Sequence, residues 1–438
     1  MRCFIQVFTV LCFGLLQARA QDTLVLGREQ CESIFLENNL QLLAERLKID
    51  EAEARLLQAG LWPNPTFSVD EVNLWTTGKG TNNLNYFGEG LPPLSGSDWK
   101  NQQINVELEQ LVRTAGKRKK MMALEQVSVD MAGQYLEDLL RNLKREFRNN
   151  LTELQYLQMY KEVYEKEASS VKQLLTAYQR QVEQGNIGKG EYIRLKALDL
   201  EISGEINRLE RETNKVQKEL KVLMRLPVGI TLVLDEEGFV PSVEKIKEVL
   251  PEYLIARASD HQPELKLAEL EKTYADKSYA YERAMRVPDV TFKAGYDRGG
   301  NFMLDFIGFG FSLDLPVFDR NQGNIKAAKI EQEQARLMFE QKELEVRSGI
   351  MLAYNDLMAS VSFLESIDPS YGDELESLLD SYTRNFRERN ISMLEYLDFL
   401  ETYLQNRDII LGSAKNAREK LEDLQFEIGK DIDQIKAQ

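Results

Sequence analysis

The side chains able to do chemistry are few, and they do not converge. His261 is the single histidine in 438 residues, so it has no histidine partner, and its place beside Pro263 suits a turn better than a Ser/His/Asp or Cys/His set. Three cysteines with one histidine cannot furnish a structural zinc site of the usual kind. Gly185-Asn186-Ile187-Gly188-Lys189-Gly190 has the glycines of a phosphate loop but lacks its spacing and the Ser or Thr after the lysine. Carboxylates remain. Glu395 and Asp398 stand three apart and share one helix face, where they could attract cations or simply be solvated. The corresponding positions 204 residues earlier are Glu191 and Arg194. No catalytic residue, cofactor or resident metal is expected.

Composition narrows the class. Charged residues make up 29% of the chain and aromatics 9%, and 71 acidic against 55 basic side chains give a net charge of −16. Such a chain has no electrostatic footprint for nucleic acid. Arg2, the apolar run from Phe4 to Leu16 and Ala18-Arg19-Ala20 form a cleavable secretory signal over residues 1–20, so the mature chain starts at Gln21. Cys3 and Cys12 leave with it, and mature Cys31 has no intrachain partner. Neither Cys12 nor Cys31 follows the small residue of a lipoprotein signal. No later run of eighteen apolar residues exists, which leaves a periplasmic protein, a secreted protein or an outer-membrane β-barrel.

The elements that must position those carboxylates are long helices. Leu136, Leu140, Leu143, Phe147, Leu151, Leu154, Leu157 and Tyr160 recur at steps of three and four, and nothing interrupts the pattern from about residue 117 to 167. Further helical runs cover 28–59, 190–224, 254–286, 324–366 and 392–430, with charged faces suited to coiled-coil-like packing. Two regions switch to alternation. Strands are expected at about 65–75 with 99–110, and at about 289–297 with 303–316, where Phe309, Phe311, Leu313 and Leu315 alternate with Gly310, Ser312 and Asp314. Trp75, Tyr86, Phe87 and Trp99 lie near the strand ends, where interfacial aromatics belong. Alternation alone fits a lipid-facing strand and a soluble hairpin equally.

An internal repeat sets the architecture. At an offset of 204, Tyr178/Tyr382, Arg180/Arg384, Asn186/Asn390, Ile187/Ile391, Glu191/Glu395, Tyr192/Tyr396 and Leu200/Leu404 are identical pairs. The strand entries Pro63-Asn64-Pro65-Thr66-Phe67 and Pro288-Asp289-Val290-Thr291-Phe292 correspond as well. A helix–hairpin–helix unit is therefore duplicated, as a first repeat over 21–226, a linker over 227–243 and a second repeat over 244–438. Four strands cannot close a barrel, so several copies of the chain are implied. Pro63, Pro65, Pro288 and Pro316 stop helices at the strand junctions. Gly116-Lys117-Arg118-Lys119-Lys120 starts the long helix below the first hairpin, either to meet lipid headgroups or as a solvated helix start.

Here the sequence resembles the TolC-type outer-membrane efflux proteins. The resemblance rests on the leader, the duplicated halves, Leu61-Trp62-Pro63-Asn64-Pro65, Thr114-Ala115-Gly116-Lys117-Arg118 and, most specifically, Leu315-Pro316-Val317-Phe318-Asp319-Arg320-Asn321-Gln322-Gly323-Asn324-Ile325. The wording is most similar to the heavy-metal (cobalt-zinc-cadmium type) cation efflux branch.

The resemblance implies a mainly α fold with a small β part. Four strands per protomer would join a shared twelve-strand outer-membrane barrel in a homotrimer, continued by a helical periplasmic tunnel with an equatorial belt built from 227–241 and the two chain ends. It implies a passive exit duct whose partners are a periplasmic adaptor, an inner-membrane RND-type pump and outer-membrane lipid. Glu395 and Asp398 match the family's paired entrance carboxylates, with Glu in place of the commoner Asp, and three copies would form acidic rings. Glu191 has Arg194 where the second carboxylate would stand, and a link from Arg194 to a carboxylate would hold the tip closed. A drug-efflux or protein-secretion duct competes with metal export, and a soluble periplasmic scaffold is the alternative outside the channel class.

Overall fold

The computed structural model describes residues 23–73, 103–247, 249–298 and 305–431. The expected leader and Trp75, Tyr86, Phe87 and Trp99 fall outside those residues. The chain forms two compact units, one from 1–46, 134–266 and 342–438, the other from 47–133 and 267–341.

The second unit holds one four-stranded antiparallel sheet. Its strands are β2 (Thr66–Asn73), β3 (Gln103–Val112), β5 (Val290–Arg298) and β6 (Asp305–Leu313), adjacent in the order β2-β3-β5-β6. The two expected hairpins thus pair with each other through β3 and β5. Directly opposed residues share a face. Phe67–Leu108, Val69–Val106, Leu108–Ala294, Phe292–Phe311, Ala294–Phe309 and Tyr296–Ile307 line one side. Glu107, Glu109, Lys293, Gly308, Gly310 and Ser312 belong to the other. On the apolar side Phe309 is 85% exposed, with Phe67, Phe292, Ile307 and Phe311 also exposed. On the polar side Lys293 bridges Glu107 (3.5 Å) and Glu109. A β-carbon at Gly308 would lie 2.7 Å from the Phe306 ring, which would have to turn aside, whereas Gly310 faces open space.

The first unit contains the periodic helices. Helix α3 (Lys117–Glu183) runs sixteen residues past its expected end, followed by α4 (Lys189–Met224), α8 (Gln322–Ser366), α9 (Tyr371–Arg387) and α10 (Met393–Ile428). Helices α3 and α8 also carry residues of the other unit. The stripe read from Leu143 to Tyr160 packs with Phe35, Leu209, Leu220, Leu223, Leu232 and Leu411. A short parallel pair, β1 (Thr23–Leu26) with β4 (Thr231–Leu234), escaped the periodicity because four residues are too few to show it. It joins the N-terminal end to the linker, with the Gln217 side chain accepting from Leu232 N and donating to Leu232 O.

Two expected continuous helices are broken, at equivalent places. The 28–59 run divides into α1 (Arg28–Asn38) and α2 (Leu40–Ala59) at Asn39. The 254–286 run divides into α6 (Pro251–His261) and α7 (Pro263–Met285) at Gln262, after the short α5 (Glu244–Lys247). Both amides are buried and do two things. Each caps the next helix, Asn39 Oδ1 accepting from Gln41 N and Leu42 N and Gln262 Oε1 from Glu264 N. Each also donates to the end of a long helix, at Leu223 O (3.0 Å) and Glu427 O (3.4 Å). Those carbonyls are themselves 204 residues apart, and so are the left-handed residues Arg225 and Gly429 that end the two helices. The break therefore satisfies orphan groups at two helix ends at once.

The halves differ where Pro369 falls. Its missing N–H and the restriction it places on Asp368 separate α8 from α9, at the place where α3 runs on uninterrupted. Asp368 Oδ1 accepts from Ser370 N and Oγ, both at 2.9 Å, and starts the next helix.

Arg148 on α3 ties three distant segments together. It meets Glu32 of α1 at 2.8 Å, Glu422 of α10 at 3.1 Å and Asp431 at 2.6 Å. Burial works against its charge, but hydrogen bonds to Glu32 and Asp431 and the Glu422 charge hold the guanidinium above its usual value. Arg148→Ala leaves Glu32 and Asp431 to share Lys144 and leaves the almost fully buried Glu422 with Arg418 alone. It is expected to cost about 3–5 kcal/mol in urea unfolding; a loss under 1 kcal/mol would show that the cluster does not act as a unit.

Candidate functional site

The repeated wording read from the sequence falls on two helix–turn–helix tips, α3–α4 and α9–α10, in the first unit. Helix α3 ends with Gly185 at φ 75° and α9 with Arg389 at φ 63°. The next residue closes each turn, Asn186 N donating to Gln181 O (2.9 Å) and Asn390 N to Asn385 O (2.8 Å). This is the Schellman closure. The asparagine side chains reach the same residues, Asn186 Nδ2 to Gln181 Oε1 (2.9 Å) and Asn390 Nδ2 to Asn385 Oδ1 (3.2 Å). Arg389 Nη2 also donates to Gln181 Oε1 at 3.2 Å, linking one tip to the other.

Ile187 and Ile391 come next and pack on the tip core with Tyr192 and Tyr396. An apolar residue just before a helix cap, packed on one in its first turn, is a hydrophobic staple. Tyr396 is fully buried, stacked 4.7 Å from Phe386, which stacks 5.3 Å from Tyr178. The pseudo-phosphate loop Gly185–Gly190 is simply the first of these turns.

The structure separates the four charged candidates. Glu395 is the third residue of α10 and forms a capping box with Ser392. Its carboxylate accepts from Ser392 N and Oγ, each at 2.7 Å, and Ser392 Oγ accepts from Glu395 N. The Ser392 backbone N–H, then its hydroxyl, hold Glu395 below the usual carboxylate range. Glu191 occupies the equivalent position on α4, but its cap is Gly188 and has no hydroxyl to bind it. Asp398 is exposed, and its carboxylate has no partner among the described residues. Arg194 is likewise exposed with no ion pair there, so a single chain does not form the expected carboxylate link. One tip carboxylate is thus committed to the turn, and Asp398 is available to solvent.

A titratable group lies beneath the second tip that the sequence did not single out. Glu167 on α3 is 3% exposed. Burial, opposed by Lys166 and reinforced by Asp380 and Glu376, pushes its carboxyl up to about 7. Its only sequence signal is an acidic residue beside the apolar stripe, which many solvated glutamates share.

The junction prolines stand between elements as expected: Pro63 and Pro65 before β2, Pro288 before β5 and Pro316 after β6. The basic run 116–120 corrects its lipid reading. Lys117 is 4% exposed and pairs with Asp289 at 2.7 Å. Arg118 donates to Gly60 O (2.8 Å) and lies 4.4 Å over the Trp62 ring. Lys120 Nζ donates to Ala115 O (2.7 Å), which leaves Lys119 as the exposed cation. Thr114 donates to Asp289 and to Pro288 O, and Ala115 and Gly116 both take positive φ to make the turn. These charges lock the first hairpin's exit to the second hairpin's entry. His261 ends α6 beside Gln262, as a turn residue should. Cys31 is buried in the core.

A family model described as "Outer membrane efflux protein" matches residues 254–429. The matched stretch lies within the second half of the duplicated helix–hairpin–helix order, and that part of the chain resembles the outer membrane efflux proteins. It is 26% identical over 131 residues to the cobalt-zinc-cadmium resistance protein CzcC of Cupriavidus metallidurans, covering 30% of this chain and 31% of that protein. It is 26% identical over 207 residues to the probable outer membrane lipoprotein SilC of Salmonella typhimurium, covering 42% of this chain and 43% of that one. The chain thus spans less than half the length of these curated relatives. By structure it is similar to CusC, with a TM-score of 0.71 and 16% identity over 92% of both chains. The outer membrane channel CmeC of Campylobacter jejuni gives a TM-score of 0.71 and 13% identity over 92% of this chain and 85% of that one. These likenesses establish the TolC-type fold.

Two outcomes follow for the tip. Arg389→Gly relieves a left-handed conformation and raises stability by about 1 kcal/mol in thermal or urea unfolding, while Gly185→Ala lowers it similarly. Glu167 contributes stability while protonated, fully present below the ordinary carboxylate value and lost as pH rises to and through about 7. Glu167→Gln should remove that decline, and near pH 8 the variant should be more stable than the parent by about 3 kcal/mol; parallel pH profiles would refute the assignment.

Proposed function

We propose that this chain is the outer-membrane exit duct of a tripartite efflux system, passive and trimeric, serving an RND-type pump for heavy-metal cations. One observation carries the reading. The sheet has an apolar exposed face, a polar opposite face and two edges, β2 and β6, with no partner strand among the described residues. Within a bilayer such edges require pairing, and three copies supply twelve strands, enough for a closed barrel with a wet interior. The apolar face then meets lipid and the Glu107–Lys293–Glu109 row meets water.

The periplasmic adaptor and the inner-membrane pump follow from the resemblance to that family. The heavy-metal assignment follows from the cobalt-zinc-cadmium resistance relative together with the acidic balance of the chain. Nothing in a duct need bind its cargo tightly; an acidic wall raises the local concentration of cations and excludes anions. Three copies of Asp398, with Glu395 behind them in its cap, form the acidic entrance. Arg194 would pair with a carboxylate of a neighbouring copy.

Reconstituted in planar bilayers, the chain should form cation-preferring channels. Glu395→Ala with Asp398→Ala should reduce that preference roughly twofold. Asp398→Ala alone should account for most of the change, since the Glu395 carboxylate is held by its cap. Unchanged conductance and selectivity would remove the acidic ring. Deleting the protein and scoring cobalt, zinc, cadmium, copper and drug sensitivity assigns the cargo, and drug sensitivity alone would overturn metal export.

A further inference from the structure

We propose that the second unit carries a binding site for the phosphate headgroup of an anionic phospholipid where β6 passes into α8, built from Arg286, Arg320, Lys326 and Lys329. The four side chains line one cavity of about 350 Å³ together with Gln322 and Ile325. All four are exposed, and none makes an ion pair among the described residues. Arg320 spends only its Nε, on Val317 O at 3.3 Å. In a chain of net charge −16, four uncompensated cations around one concavity form a strong local exception. In the basic run of the first half, by contrast, Lys117 is buried against Asp289 and Arg118 is taken up by Gly60 O and the Trp62 ring.

The neighbouring residues identify the occupant. Leu315, Val317 and Phe318 follow directly on the apolar row of β6, and Phe318 is 92% exposed. Arg320 comes two residues later. The order is lipid-facing strand, then exposed aliphatic and aromatic side chains, then cations. That is how a protein surface crosses from acyl chains to headgroups. A free phosphate would use the cations but give no role to Phe318. A phospholipid uses both, its phosphate on the arginines and lysines and its first acyl carbons against Val317 and Phe318. Near an anionic surface each Lys or Arg contributes about fivefold in affinity.

This inference rests on the outer-membrane reading above and can fail without it. The full-length protein, extracted in detergent, is titrated with phosphatidylglycerol, cardiolipin or phosphatidylcholine, and bound lipid is counted by native mass spectrometry. Anionic lipid should be retained at least fivefold better than phosphatidylcholine. The variant R286Q/R320Q/K326Q/K329Q should lose that preference, and R286K/R320K should keep it. Lys326→Gln with Lys329→Gln, two exposed positions on one helix, gives the same reading if the fourfold variant does not fold, with a partial loss. Equal retention by parent and variants overturns the site. So does displacement of the lipid by millimolar inorganic phosphate, which makes it a free-phosphate site. Dissociation of the oligomer with unchanged lipid per chain also overturns it, because the cations then serve a neighbouring copy. Wild-type protein that forms no channels in planar bilayers counts against the duct itself, whereas channels without lipid preference count against this site alone.

Discussion

Inside a bilayer every backbone N–H and C=O must find a partner, and four strands in one sheet leave two edges that cannot. The rest of the molecule is consistent with that constraint. The sheet is apolar on one side and charged on the other, which suits a surface with lipid outside and water within. Its register is secured at the base, where Thr114 and Lys117 hold Asp289 and fasten one hairpin to the other.

The long helices face a different problem, that of ending. A helix leaves four carbonyls without partners, and a buried end must satisfy them. Here the solution is repeated at an offset of 204: Asn39 with Leu223 and Arg225, then Gln262 with Glu427 and Gly429. The tips repeat a second solution, Gly185-Asn186-Ile187 and Arg389-Asn390-Ile391. What looks in sequence like a repeated functional signature is largely the chemistry of turning a helix hairpin. The turn chemistry leaves Asp398 and Arg194 unused and exposed. The duplication is imperfect where Pro369 splits α8 from α9, while α3 runs on unbroken at the equivalent place.

Charge in this protein divides into two kinds. Some is spent on assembly: Arg148 among Glu32, Glu422 and Asp431, or Lys117 on Asp289. Some is left facing solvent, as at Asp398 and around Arg286 and Arg320. A run such as Lys117–Lys120 reads as an interaction patch until its partners are seen, and two of its four cations, Lys117 and Arg118, prove to be engaged with distant segments. The cations at the start of α8 are scattered over residues 286–329 and form no run, yet they share one cavity.

The sequence by itself determined the architecture: the helical stripes, the alternating strands and the paired wording of the two tips all follow from spacing, because periods of 3.6 and 2 are written directly in side-chain order. It also determined the prolines' places and the exposed position of Asp398. Only the tertiary structure decided which polar residues are consumed. That Asn39 and Gln262 break helices to close others and that Glu167 is buried depend on what lies across a helix interface, whereas the Glu395 cap is a local contact with Ser392 three residues before it. A glutamate looks the same in sequence whether it faces water, a serine or a tyrosine core. Glu395 is set by a serine three residues away, Glu167 by Glu376, Asp380 and Tyr396 brought to it from more than two hundred residues along the chain.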